Sequence, residues 1–252
     1  MSLEIKNLNK RFDGFVLFRD FSITIPEDRI LCILGPSGCG KTTLLDILGK
    51  TVVPDSGSLI GFEGKLFSYI FQEPRLLPWK SVGGNIEFVI PRAIPEAERK
   101  EKTMQLVRLV ELENFADYYP SQLSGGMRQR VSIARAFACP SDIILMDEPL
   151  GGLDVALKQN MIRWFTQIWE ADRRTVIFVT HDIEEALFLG DEIVVFSRPP
   201  VQVLAHESFD EPQEKRRADM PRLQELRVKL LGTLQMGKDG SSRNDHPGGE
   251  SG

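Results

Sequence analysis

A chain of 252 residues, 42% hydrophobic and 27% charged, has the composition of a folded globular protein with room for one large domain or two small ones, which excludes a disordered or fibrous chain. Lys and Arg number 31 against 36 Asp and Glu, a formal charge of -5, which argues against broad non-specific binding to nucleic acid. Cys32, Cys39 and Cys139 form an odd, widely spaced set without a C-x-x-C pair, so neither a disulfide framework nor a structural zinc site is expected, and a reducing cytoplasm fits.

Met1 to Arg11 alternates polar and apolar residues without a signal-peptide core, and no apolar run approaches the ~18 residues of a membrane span; the expectation is a chain neither exported nor crossing a bilayer. Phe15, Leu17, Phe21, Ile23 and Ile25 share one parity and stop at Pro26, which predicts half-buried strands of a small antiparallel sheet. The continuous apolar run Ile30 to Leu34 predicts a strand buried on both faces, followed by a Gly-rich turn and a helix over Thr42 to Leu48. Ser58 to Phe71 reads as short strands turning at Gly61 and Gly64, and the prolines between Gln72 and Pro95 forbid a long helix there. Helical spacing then recurs over Glu96 to Leu112 and Met127 to Ala138. Buried-type strands at Ile143 to Met146, Thr175 to Val179 and Glu192 to Phe196 alternate with helices at Val155 to Glu170 and Ile183 to Phe188, as in a parallel, helix-covered sheet. After Ala205 the pattern predicts a charged linker, one helix beyond Pro221 and a disordered Gly/Ser/Asp-rich tail.

Gly35-Pro36-Ser37-Gly38-Cys39-Gly40-Lys41-Thr42 fits G-x-x-x-x-G-K-[ST] and lies between a buried strand and a helix. Glycines let successive amides wrap a β-phosphate, the helix N-terminus adds partial positive charge, Lys41 reaches the β/γ oxygens, and the Thr42 hydroxyl reaches Mg2+. The loop is therefore expected to take a nucleoside triphosphate. Cys39 reads as a small residue that lets the loop close, with a redox role as the second possibility. Asp147-Glu148 ends a buried strand, and two acids at such an edge call for a cation or polar ligand: Asp147 would hold Mg2+ and Glu148 would act as general base on the attacking water. His181 follows the next strand and should emerge at the same edge, as a γ-phosphate contact or a plain loop residue; Gln72 orients Mg2+ or water, or merely begins a loop. Leu123-Ser124-Gly125-Gly126-Met127-Arg128-Gln129-Arg130 offers a Ser cap and paired glycines at a helix start, a second anion site for which one triphosphate has no use.

Taken in order, Gly35 to Thr42, Gln72, Leu123 to Gln129, Asp147-Glu148 and His181 resemble the ATP-binding subunit of ABC transporters over roughly residues 3 to 200. The resemblance implies a P-loop NTPase fold of class α/β, with a mainly parallel helix-covered sheet, an N-terminal antiparallel β subdomain and an inserted α-helical subdomain. It divides the chain into an ATPase domain over 1–204 with its insert at about 73–138, a linker and helix over 205–235, and a tail over 236–252. ATP and Mg2+ are the implied cofactors, and hydrolysis to ADP and phosphate the implied reaction. Gly35 through Thr43, including Thr43 itself, would hold the phosphates, with Mg2+ at Thr42, Gln72 and Asp147. Ser124, Gly125, Gly126 and Gln129 of a second copy would close over the γ-phosphate, making the working unit a homodimer. Glu148, His181 and Gln72 are the implied catalytic set, Asp154 lies in the loop joining the two sites, and Phe12, ahead of Phe15, would stack on adenine. The implied partners are a membrane permease and, through it, a solute-binding protein, which would place the chain on the inner face of the membrane.

Phe71-Gln72-Glu73-Pro74-Arg75-Leu76-Leu77-Pro78-Trp79 is similar to importers of the nitrate, sulfonate, taurine and pyrimidine-precursor group; its Leu76, Leu77 and Trp79 are core filler or an exposed groove for a partner helix. Gly152 departs from the alanine frequent in the family. The competing reading is an ABC-type ATPase acting on nucleic acid or the ribosome. The insert between Gln72 and Ser124 has no sustained heptads and the chain has one P-loop, which favours transport without nucleic acid.

Overall fold

The computed structural model describes residues 2–239. β1 (Ser2–Phe12) and β2 (Phe15–Pro26) form a tight antiparallel hairpin in which Phe12 faces Phe15 across the turn. Parity alone misplaces part of β2, because register shifts in the β1–β2 ladder bring Leu17 and Phe18 both into the core while Phe15 stays 54% exposed. β3 (Ile30–Leu34) is buried along its whole length and leads through the Gly-rich loop into α1 (Lys41–Leu48). β4 (Ser56–Ile60) returns to pair with β1, completing a three-stranded sheet in the order β2-β1-β4.

The larger sheet starts with β5 (Phe67–Ile70). Three helices follow: α2 (Val82–Glu87), α3 (Glu96–Leu109) and α4 (Gly125–Ala138). The chain then alternates through β6 (Ile143–Asp147), α5 (Val155–Ala171), β7 (Thr175–Thr180), α6 (Ile183–Leu189) and β8 (Glu192–Phe196). With β9 (Val203–Ser208) at one edge, the strand order is β5-β6-β7-β3-β8-β9, parallel except for β9. Alternation along β3 explains the two cores: Ile30, Cys32 and Leu34 join the cluster under α4 and α5, whereas Leu31 and Ile33 join the one shared with α1 and the small sheet.

The sequence reading missed α2, a single turn and a half between prolines. Ser81 caps it by accepting from the Gly84 amide at 3.2 Å, and Asn85, fully buried, accepts from the Leu77 amide and donates to the Leu77, Lys80 and Ser81 carbonyls. That network holds the Pro-rich loop ahead of it.

The linker expected from 205 is corrected. β9 (Val203–Ser208) pairs antiparallel with β8 as the sheet's edge, and α7 (Pro221–Asp239) sends Leu223, Leu226 and Leu230 into the main core. An edge strand buried on one side at most carries few apolar residues, so β9 shows no hydrophobic signal. Residues 236–239 of the expected tail continue α7; the rest of that expectation lies outside the described residues.

Candidate active site

Three adjacent strands, β6, β7 and β3, bring their carboxyl ends level, with Leu34 opposite Thr180 and Asp147 opposite Val179. The phosphate loop, the two acids and His181 therefore meet at one sheet edge although more than a hundred residues separate the loop from the acids in the chain. The loop cradles its own lysine: Lys41 is 5% exposed, and its Nζ donates to the carbonyls of Gly35 at 2.8 Å and Pro36 at 3.1 Å while standing 3.9 Å from Glu148 Oε1. Gly40, the residue before α1, has φ 103°, and a Cβ there would come within 2.9 Å of Leu17. Only glycine gives the loop this path.

Ser37, Gly38, Gly40 and Thr43 line a cavity of about 340 Å³ together with Lys41, Thr42 and Glu148. Phe12 and Phe15 close its other side from the tip of the β1–β2 hairpin, and Lys10 Nζ lies 4.9 Å from the Phe12 ring centroid. Cys39 faces inward instead. It is 1% exposed and burial raises its thiol above the usual range, both of which disfavour thiolate chemistry and favour the small-residue reading.

Thr42 Oγ1 donates to Asp147 Oδ1 at 3.1 Å. Burial raises the Asp147 carboxyl above its usual value, the Thr42 bond pulls it partly back, and the neighbouring Glu148 and Asp46 raise it further. Such an acid, beside a hydroxyl and a lysine loop, fits a divalent cation. Thr42 and Asp147 offer two oxygens, so a divalent cation held there would need further oxygens such as those of a phosphate. Glu148 sits at φ 42°, strained for a residue with a side chain, and its amide donates to Val179 O at 3.0 Å. Its Oε2 meets His181 Nδ1 at 2.9 Å, which places the carboxylate between the histidine and Lys41.

Other expected residues lie elsewhere. Gln72 lies two residues beyond β5 and stands beside Gly151, with Nε2 3.3 Å from where a Cβ on that glycine would be, outside the cavity around Lys41. Ser124 caps α4 by accepting from the Met127 amide at 3.2 Å; it and Gly125 are exposed, and neither lines that cavity. Gly126 is covered by Leu157, whose Cδ2 would be 2.7 Å from a Cβ, leaving only backbone to offer a ligand. Gln129 is corrected: at 3% exposure, facing the core on α4, it cannot reach a ligand. The neighbouring arginines are tied to backbone carbonyls, Arg128 donating to Leu123 O and Arg130 to Val110 O. Gly152 has φ 76°, a conformation that strains alanine, which accounts for its departure from the family pattern. Asp154 caps α5, its Oδ1 accepting from the Leu157 amide at 2.9 Å. Sequence reading did not find Lys158, Asp182 and Glu185, an ion cluster behind His181, because no motif spacing marks it.

Comparison with known proteins agrees with this geometry. The family model described as ABC transporter matches residues 18–151. The sulfate/thiosulfate import ATP-binding protein CysA of Pseudomonas syringae pv. tomato is 38% identical over 218 residues, 80% of this chain and 66% of its own length. The uncharacterised ABC transporter ATP-binding protein MJ0412 of Methanocaldococcus jannaschii is 35% identical over 247 residues, covering 93% of this chain and 92% of that one. Among solved structures, the dimeric ATP-binding cassette MJ0796 in a post-hydrolysis state with ADP and Pi superposes with a TM-score of 0.68 at 30% identity, over 82% of this chain and 98% of that one. The chain spans about two thirds of the length of the CysA relative. A matched span exceeding half the sequence, joined to near-complete coverage of a relative in the same family, means that this chain belongs to the ABC transporter family.

Proposed function

We propose that the chain is the ATP-hydrolysing subunit of an import system, that two copies close around two Mg-ATP, and that closure drives a separate membrane permease. The observation that carries the reading is the exposed Ser124 cap, which lies outside the cavity of its own P-loop and so is available to a second copy. In this reading ATP enters with its adenine at the Phe12–Phe15 hairpin tip and its phosphates at the loop amides. Lys41 is already desolvated and held by loop carbonyls, so turning to the β/γ oxygens needs little reorganisation. Thr42 and Asp147 would hold Mg2+, which would supply positive charge to the phosphate oxygens; Gln72, expected as a third ligand, stands outside the cavity. Glu148 takes the proton of the attacking water, His181 orients that carboxylate through Nδ1 and leaves its other ring nitrogen for the γ-phosphate, and Ser124 with the Gly125 and Gly126 amides of the second copy completes the pocket.

The ATPase unit in this reading comprises 1–204 together with β9 and α7, and the arm over 73–138 faces the permease. No helix among the described residues is long and apolar enough to cross a membrane, in keeping with attachment through that permease at the cytoplasmic face. The sequence resemblance to nitrate, sulfonate and taurine importers and the sulfate/thiosulfate naming of several relatives support the proposal of a small oxyanion or sulfonate as cargo, which a solute-binding protein would deliver. Glu148→Gln tests the central claim: it should retain nucleotide binding, abolish turnover and give an ATP-dependent dimer on size exclusion. A monomer that still hydrolyses ATP at the wild-type rate would refute it.

A further inference from the structure

Lys158 stands in the first turn of α5, away from the phosphate loop, yet it is the centre of an ion cluster directly behind His181. Its Nζ is 2.6 Å from Asp182 Oδ2 and 2.7 Å from Glu185 Oε1. Glu185 is 2% exposed, so its carboxylate faces Lys158 and not water. The other oxygen of Glu185 accepts from the Thr180 hydroxyl at 2.6 Å, and that same hydroxyl accepts from the Asp182 amide at 3.0 Å. Both neighbours of His181 are thus tied to one cluster, and the imidazole between them meets Glu148. Burial pulls the Lys158 ammonium down, but its hydrogen bonds to Asp182 and Glu185 carry it above its usual value, the mark of a tightly held pair.

One residue earlier, Leu157 covers Gly126 in the Ser124-capped segment. A single turn of α5 therefore touches the His181 loop with Lys158 and the start of α4 with Leu157. In a closed pair of chains, His181 serves the triphosphate of its own chain and Ser124 that of the partner.

We propose that Lys158 is a positioning residue that holds His181 on Glu148, and that the first turn of α5 makes the two half-sites of one chain move as a unit. The inference rests on the two-copy ATPase reading above. Its test compares Lys158→Met with Lys158→Arg in the purified full chain, measuring ATP turnover, equilibrium binding of a fluorescent ATP analogue and thermal melting. Lys158→Met should lower kcat on the order of tenfold or more, leave analogue affinity within about twofold, and reduce the cooperativity of turnover in ATP. Lys158→Arg keeps the charge and should restore most of the rate. Removing one ion of a buried pair can itself unfold the chain, so Lys158→Met combined with Glu185→Gln removes both charges; this variant should melt near the wild type and still turn over slowly. A folded double variant at the wild-type rate, or an arginine variant no faster than the methionine one, would overturn the proposal. Wild-type chain that binds no ATP analogue would refute the ATPase reading, and this inference with it.

Discussion

The carboxyl of Asp147 is raised above its usual 3.8 chiefly by burial, and Thr42 offsets only part of that. A carboxyl whose folded pKa exceeds the unfolded value contributes stability below the unfolded value and loses it as pH rises through the folded one. At neutral pH the ionised Asp147 therefore opposes folding until a cation joins it. Asp147→Asn, which keeps an oxygen for Thr42, should raise the melting temperature of the nucleotide-free chain at pH 7, with the gain disappearing below about pH 4. The same variant should gain less on adding Mg-ATP than the wild type does. A melting temperature unchanged or lowered at pH 7 would contradict this account. Single-residue roles were only partly legible. The letters around Lys41 name the loop, but Cys39 and Gln129 sit inside contiguous motifs and still face the core, because loop curvature and helical period, not membership in a motif, set where a side chain points.

At the scale of elements, α7 shows which interaction holds a helix down. Arg227 makes a two-pronged pair with Glu184 on α6, at 2.6 and 2.8 Å, but Glu184 is 49% exposed, and a pair of that kind contributes at most about 1 kcal/mol. Leu223, Leu226 and Leu230 are buried to 1% exposure or less in the main core. Truncating such a leucine costs about 2–5 kcal/mol, so the apolar stripe dominates. Leu226→Ala should lower the urea midpoint by that free energy divided by m, with m unchanged, and Glu184→Gln by far less; equal shifts would reverse the ranking. The apolar stripe of α7 was readable from its spacing, whereas β9 was not. An edge strand carries too few buried side chains to write a pattern, and only its ladder with β8 identifies it.

For the whole molecule, the surface that would face a permease is the arm before α4. Leu76 packs onto the main core, while Trp79 is 70% exposed on a loop held by the buried Asn85. The two readings of that cluster therefore divide, with Leu76 as filler and Trp79 left exposed as the proposed anchor. Trp79→Ala should leave ATP affinity and basal turnover within about twofold and weaken co-purification with the permease; undiminished co-purification would count against the groove. Local chemistry had already settled the strand–loop–helix unit around Lys41, the apolar strands and the acids at their ends, since each depends on neighbours within a few residues. Folding was needed to set Glu148 against His181, to join Lys158 to Glu185 and to separate Ser124 from the loop of its own chain. Those relations depend on strand order and helix packing between distant segments, which a short-range pattern does not encode.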